Sequence, residues 1–252
     1  MDKDVRSNRI VYIGGKFFAD ARYFKYSRYN NLIRLIDESS GKILDQFLNV
    51  DEYGKGILNV FYIFQKAFYM RQNGNFVYVN PFMDKIIELS KESVSTLFEI
   101  KSKDLMPANI IKSAIADDPR SFRWNLMMKN DKYFEKYDFV EHPNLIKFTI
   151  NKGEYLHLIV YDKLTKEVSV FPGRRDDLIY TQETDSKTPL LIPMFGCNAE
   201  HGVYYYVNTG EITNLKELAI AGILSPKLDK IEAIKQLEED ANPVILYYEF
   251  KD

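Results

Sequence analysis

The sequence predicts an all-β protein built from repeated antiparallel sheets with a short helical insertion, and three observations carry that reading. The first is a run of three strands between Leu145 and Phe171. Residues 145–150 alternate apolar and polar, Asn151-Lys152-Gly153 turns the chain, residues 155–161 alternate again, Asp162-Lys163-Leu164 turns it back, and Val168-Ser169-Val170-Phe171 closes the meander. The second is that runs of the same kind recur along the chain. The third is an aromatic content dominated by 18 Tyr and 17 Phe against one Trp, and such flat rings pack well on a pleated, half-buried surface.

Four β-rich units follow, over residues 9–49, 57–101, 121–171 and 190–251. In the first, Ile10-Val11-Tyr12-Ile13 ends at Gly14-Gly15, and strands are expected at 17–26, 32–36 and 43–48 around a turn at Glu38-Ser39-Ser40-Gly41. In the second, a strand at 61–70 runs into Gln72-Asn73-Gly74-Asn75. This is a good hairpin turn because Asn and Gly tolerate positive φ. Strands at 76–80, 85–89 and 94–100 complete the unit. The third contains the meander. The fourth has strands at 203–207 and 244–250, with a turn at Asn208-Thr209-Gly210-Glu211. Units of roughly 40–55 residues have the length of four-stranded β-propeller blades. The fold expected is thus a single β-propeller-like domain, or propeller fragment, over residues 1–252.

Two segments carry helical patterning instead. Residues 108–116 lie between Pro107 and Pro119. Residues 214–239 read as two helices before the last strand, the first capped by Asn214 and the second started by Ser225-Pro226. In the second, Leu228, Ile231, Ile234 and Leu237 make one apolar face, opposite Asp229, Lys230, Glu232, Lys235 and Glu238. The pair is expected to pack on the rim of the β domain.

A formal net charge of −2 argues against a nucleic-acid binder that works by bulk electrostatics. No apolar run approaches the ~18 residues of a membrane span. The charged start, Met1-Asp2-Lys3-Asp4-Val5-Arg6, is followed by no apolar leader segment. Cys197 is the single cysteine, so an internal disulfide is excluded, and it reads as a small buried hydrophobe. His142, His157 and His201 lack metal-ligand spacing, and His157 reads as a packed strand histidine. There is no Gly-rich phosphate loop ending in Gly-Lys-Ser/Thr and no Gly-x-Ser-x-Gly elbow, so phosphoryl-transfer, dinucleotide and serine-hydrolase chemistry have no support.

Two polar clusters flank the meander and form the candidate site. Asp138, Glu141 and His142 bring two carboxylates and an imidazole together before it. They read as a solvated loop leading into a strand, or as acid–base groups if they face a cleft. Arg174, Arg175, Asp176 and Asp177 follow it in a loop after Pro172-Gly173. Both charge signs there can take an anionic ligand or a cation. Tyr204, Tyr205 and Tyr206 suggest a sugar-stacking platform, weighed against a strand with aromatic residues on both faces.

Glu239-Asp240-Ala241-Asn242-Pro243, running into Val244-Ile245-Leu246-Tyr247-Tyr248, and the stretch Phe76-Val77-Tyr78-Val79-Asn80-Pro81 through Ile86-Ile87-Glu88-Leu89 resemble a family of six-bladed β-propellers of unknown function, classed as lipoproteins, in gut-type bacteria. Asp176-Asp177 sits where that family has an acidic inter-blade loop. The resemblance implies a cell-envelope protein with two more blades than the four units here. The chain then reads as the downstream part of such a protein, or as a ring completed by another chain paired to its edges. The function expected is a non-enzymatic binding or protein-interaction module with no cofactor, its partner a glycan, a peptide or an envelope protein. The alternatives are a propeller hydrolase or lactonase built around a Ca-type cation, and a fragment without activity of its own.

Overall fold

The computed structural model describes residues 9–20, 30–54, 57, 67–118, 121–153, 155–172, 196–199, 202–207, 209–238 and 241–249. They form a mostly-β structure of three four-stranded antiparallel sheets, one three-stranded sheet and four α-helices. The chain gathers into two compact units, Met1–Pro172 and Gly173–Asp252.

The first unit holds three meanders. Strands β1 (Ile10–Ile13), β2 (Lys16–Asp20), β3 (Asn31–Asp37) and β4 (Ile43–Asn49) form sheet 1 in sequence order. The Asp37 carboxylate fixes the β3–β4 turn by accepting from the Ser39 and Ser40 hydroxyls and the Ser40 N–H at 2.6–2.8 Å. Those bonds hold its pKa down to about 2. Strands β5 (Phe68–Met70), β6 (Phe76–Val79), β7 (Lys85–Leu89) and β8 (Val94–Glu99) form sheet 2. Its β5–β6 hairpin closes on Gly74 at φ +81°, the left-handed backbone the Asn-Gly pair foretold.

The third meander is β9 (Tyr133–Glu141), β10 (Leu145–Lys152), β11 (Tyr155–Asp162) and β12 (Val168–Pro172). The expected meander is present, its strands in register with Leu145 opposite Asp162, Lys152 opposite Tyr155, and Tyr161 opposite Val168. Asp162 Oδ1 accepts from the Leu164 and Thr165 N–H groups at 2.7 and 2.9 Å and so sets the second turn.

Sheet 2 is buried on both faces, and strict alternation explains how. Phe76, Tyr78, Ile87 and Leu89 face a core shared with Phe18, Leu32 and Ile33 of sheet 1. Val77, Val79 and Ile86 face a second core shared with Phe139, Ile146 and Phe148 of sheet 3. In a strand, successive side chains point to opposite faces. A near-continuous apolar strand such as Phe76-Val77-Tyr78-Val79 therefore has to lie between two partners.

Helix α1 (Ala108–Asp117) matches the segment expected between two prolines and buries Ile111 and Ile115 in the first core. Ser121 was expected to open the third sheet. Instead residues from Phe122 form α2 (Phe122–Lys129), and the sheet starts at Tyr133. Phe122 and Leu126, four apart, are buried on one helical face, and the Phe82 ring meets Phe122 edge-on at 5.3 Å.

In the second unit, β13 (Gly196–Ala199), β14 (Gly202–Val207) and β15 (Val244–Glu249) form a three-stranded sheet. Helices α3 (Ile212–Ile220) and α4 (Ile231–Lys235) sit between its last two strands in sequence. The buried stripe of α3 begins at Ile212, so the helix starts there and Asn214 lies inside it rather than at its cap. Ser225-Pro226 makes a turn instead of starting a helix. The Ser225 hydroxyl accepts from the Lys227 N–H at 3.2 Å and its carbonyl from the Leu228 N–H at 3.0 Å. The helix face expected from Leu228 is cut to a short helix around buried Ile234.

Candidate functional site

Asp138 and Glu141 are not on a solvated loop, whereas His142 is half-buried in the turn that leads to β10. Asp138 and Glu141 lie in β9, 5% and 4% exposed, and His142 follows directly. A bulge makes this possible. Lys147 pairs with Val140 and Thr149 with Tyr137, so Asp138 and Phe139 together face Phe148. Asp138 takes φ +61°, and its N–H donates to the Tyr69 hydroxyl at 3.2 Å. Phe139 and Val140 are buried in this strand, and the polar Asp138 and Glu141 that flank them masked it in the sequence.

Glu141 is the hub of an ion-pair cluster. Arg71, just after β5, donates to it through Nε at 2.8 Å and Nη2 at 2.7 Å, the forked geometry natural to guanidinium and carboxylate. Lys163, in the β11–β12 turn, donates to Glu141 Oε1 and to the His142 carbonyl, both at 2.7 Å. Arg71 also donates to Glu88 of β7, and Glu88 accepts from Asn75 at 2.9 Å. Residues from two strand ends, a hairpin and a turn thus tie sheet 2 to sheet 3. Burial pushes the pKa of Glu141 up, but the hydrogen bonds and charges of Arg71 and Lys163 outweigh it and leave the carboxyl below its ordinary value. Burial also opposes ionisation of Glu88, and Asn75 and Arg71 reverse the balance.

Both carboxyls therefore bind fewer protons folded than unfolded near their ordinary pKa of about 4.3. Their stabilisation is complete above that pH and is lost as the pH falls through the depressed folded values. Thermal unfolding between pH 6 and pH 3 is expected to show a steeper fall in Tm for the wild type than for an Arg71→Met/Glu141→Leu variant. Parallel curves would contradict this.

The other buried ionisable groups of β9 also hold the fold. Glu135 is fully buried, and its Oε2 accepts from Arg123 of α2 at 2.7 Å and from Asn151 of β10 at 3.0 Å. Lys136 is 1% exposed and donates through Nζ to the Asn80 carbonyl at 2.6 Å and to the Met83 carbonyl. Burial pushes its pKa down to about 7, against the pull of Asp84. His157 is the packed strand histidine expected, its ring edge-on to Tyr133 at 5.4 Å. Tyr204 and Tyr247 face each other across β14 and β15 as a half-exposed stacked pair, centroids 4.6 Å apart. Arg174, Arg175, Asp176 and Asp177 lie outside the described residues.

A concave site lies elsewhere in the first unit. Between the end of β8 and the face of sheet 3 opens a cavity of about 460 Å³. Phe98 and Ile100 form one wall; Ile146, Phe148 and Ile150 of β10, with Ile159, line the other. Val168 and Val170 of β12 extend that second wall and are 61% and 45% exposed. The Phe98 ring meets Tyr161 edge-on at 5.2 Å. Glu99, Lys101, Ser102 and Tyr133 gather at the strand ends, and Tyr161 of β11 adds a further hydroxyl-bearing side chain to the lining. Each wall residue was legible as a strand residue. What alternation could not say was that Val168 and Val170 of β12 would stay exposed beside the end of β8.

No family model matches the chain, and no curated protein matches it in sequence. Its fold is shared with a Bacteroides fragilis protein labelled as exported. That crystal structure superposes with a TM-score of 0.70 over 98% of this chain, at 14% identity. The chain spans 66% of that protein's length. A member of the DUF4221 family from Bacteroides vulgatus aligns over 79% of this chain and 57% of its own at 11% identity, with a TM-score of 0.37. No helix among the described residues is long and apolar enough to cross a membrane.

Proposed function

We propose that this chain is a non-enzymatic binding module of the cell envelope, its sheets being blades of a β-propeller. The observation that carries the binding reading is the apolar cavity beside sheet 3. Its volume falls within the few hundred to about 1,000 Å³ typical of small-molecule sites, and its mostly apolar wall with a few polar groups is the common composition of such sites. The blade reading is supported by scale. Four sheets in a chain spanning 66% of its structural neighbour correspond to about six over the neighbour's whole length. The envelope assignment rests on the exported label of that neighbour.

The test is a fluorescence titration with a neutral naphthalene fluorophore. Saturable binding to one site is expected, with at least a ten-fold loss in a Val170→Trp variant that fills the cavity and keeps its thermal transition. Absence of saturable binding to the wild type would overturn the binding reading. So would a calcium-dependent rise in Tm accompanied by lactone hydrolysis.

A further inference from the structure

We infer that the cavity takes a neutral amphiphile: a single acyl or alkyl chain joined to an uncharged, hydrogen-bonding head such as a sugar or glycerol. The inference rests on the binding reading above and adds the chemical class of ligand. Polarity in the cavity is segregated. The sheet 3 wall, from Ile146 and Phe148 to Val168 and Val170, is apolar but for Tyr161, whose ring packs on Phe98, whereas Glu99, Lys101 and Ser102 come from one stretch at the end of β8. A molecule apolar at one end and polar at the other satisfies both regions. A uniformly apolar one strands the polar rim, and a uniformly polar one pays to desolvate against the wall.

The charge state of the head follows from Lys101, which lines the cavity, and from Lys152, which sits beside the lining residue Tyr133. Lys101 pairs with Glu99 at 3.1 Å. Lys152, which lies 5.1 Å over the Tyr133 ring, pairs with Asp131 at 3.8 Å. Each ammonium thus already has a carboxylate beside it. An anionic head gains one attraction and meets one repulsion, and these exposed pairs are weak in any case. Hydroxyl donors and acceptors are met instead by Ser102 and Tyr133. Size decides against a protein occupant. A stable protein interface buries about 800 Å² on each partner, and a concave slot with one half-exposed edge strand is too small to supply it.

The experiment is displacement of the naphthalene fluorophore from the full chain, with every amphiphile kept below its micelle concentration. Octyl glucoside is expected to displace it at least ten-fold more tightly than octanoate, and free glucose not at all. Val170→Trp and Val170→Lys are both expected to remove glucoside binding while retaining the wild-type circular dichroism spectrum. The inference falls if octanoate matches or exceeds the glucoside, or if glucoside binding survives both substitutions. It falls alone, leaving the binding reading intact, if the fluorophore binds and Val170→Trp blocks it but the glucoside does not compete. If the fluorophore itself does not bind, both fall together.

Discussion

Glu141→Ala is expected to destabilise the first unit by about 3 kcal/mol, the low end of the cost of removing one partner from a buried ion pair. The loss is large because Arg71 stays behind, only 14% exposed in its side chain, with Glu88 as its remaining carboxylate. Lys163 loses its Glu141 contact too and keeps the His142 carbonyl. The double variant Arg71→Met/Glu141→Leu is expected to recover much of the loss, since replacing both charges by apolar groups also removes their desolvation cost. Urea unfolding of the wild type, Arg71→Met, Glu141→Leu and the double variant measures this cycle, with Glu141→Ala alongside. A cost under about 1 kcal/mol for Glu141→Ala would mean that the cluster does not hold the two sheets together.

Lys136→Met is expected to change how stability depends on pH. The folded-state pKa of Lys136, about 7, lies below the value of about 10.4 in an unfolded chain. Between those two pH values the unfolded chain binds more protons, so this group makes stability rise with pH; below about 7 its desolvation penalty is present in full. The limiting slope for one proton is about 1.4 kcal/mol per pH unit. The wild type is therefore expected to gain on the Met variant as the pH is raised from 7 to 9. A neutral amine has two N–H donors, matching the two carbonyls of Asn80 and Met83 that it meets. Parallel pH–stability curves for the two proteins would rule this role out.

Both predictions concern residues whose roles the sequence concealed. In the sequence Glu141 stands beside Asp138 and His142, a carboxylate close to an imidazole. Its actual partners, Arg71 and Lys163, are 70 and 22 residues away in sequence. Arg71 stood beside a hairpin turn that drew attention to Asn73 and Gly74 instead. Lys136 offered no signal at all, because the carbonyls it satisfies belong to a loop 53–56 residues earlier. The helix α2 was hidden for a different reason. Eight residues supply barely two turns, too few for periodicity to separate a helix from the start of a strand.

The sequence by itself determined most strands of the meanders, β9 excepted. Alternation, turn chemistry at Gly74 and Asp162, and the all-apolar strand at residues 76–79 are local properties, and local properties fix strands and hairpins. It also determined that His157 would pack within a strand. Only the tertiary structure decided which polar groups meet and where a cavity remains. Both depend on how one sheet's edge sits against another sheet's face. That placement is set by contacts between residues far apart in the chain, which no periodicity of two or 3.6 records.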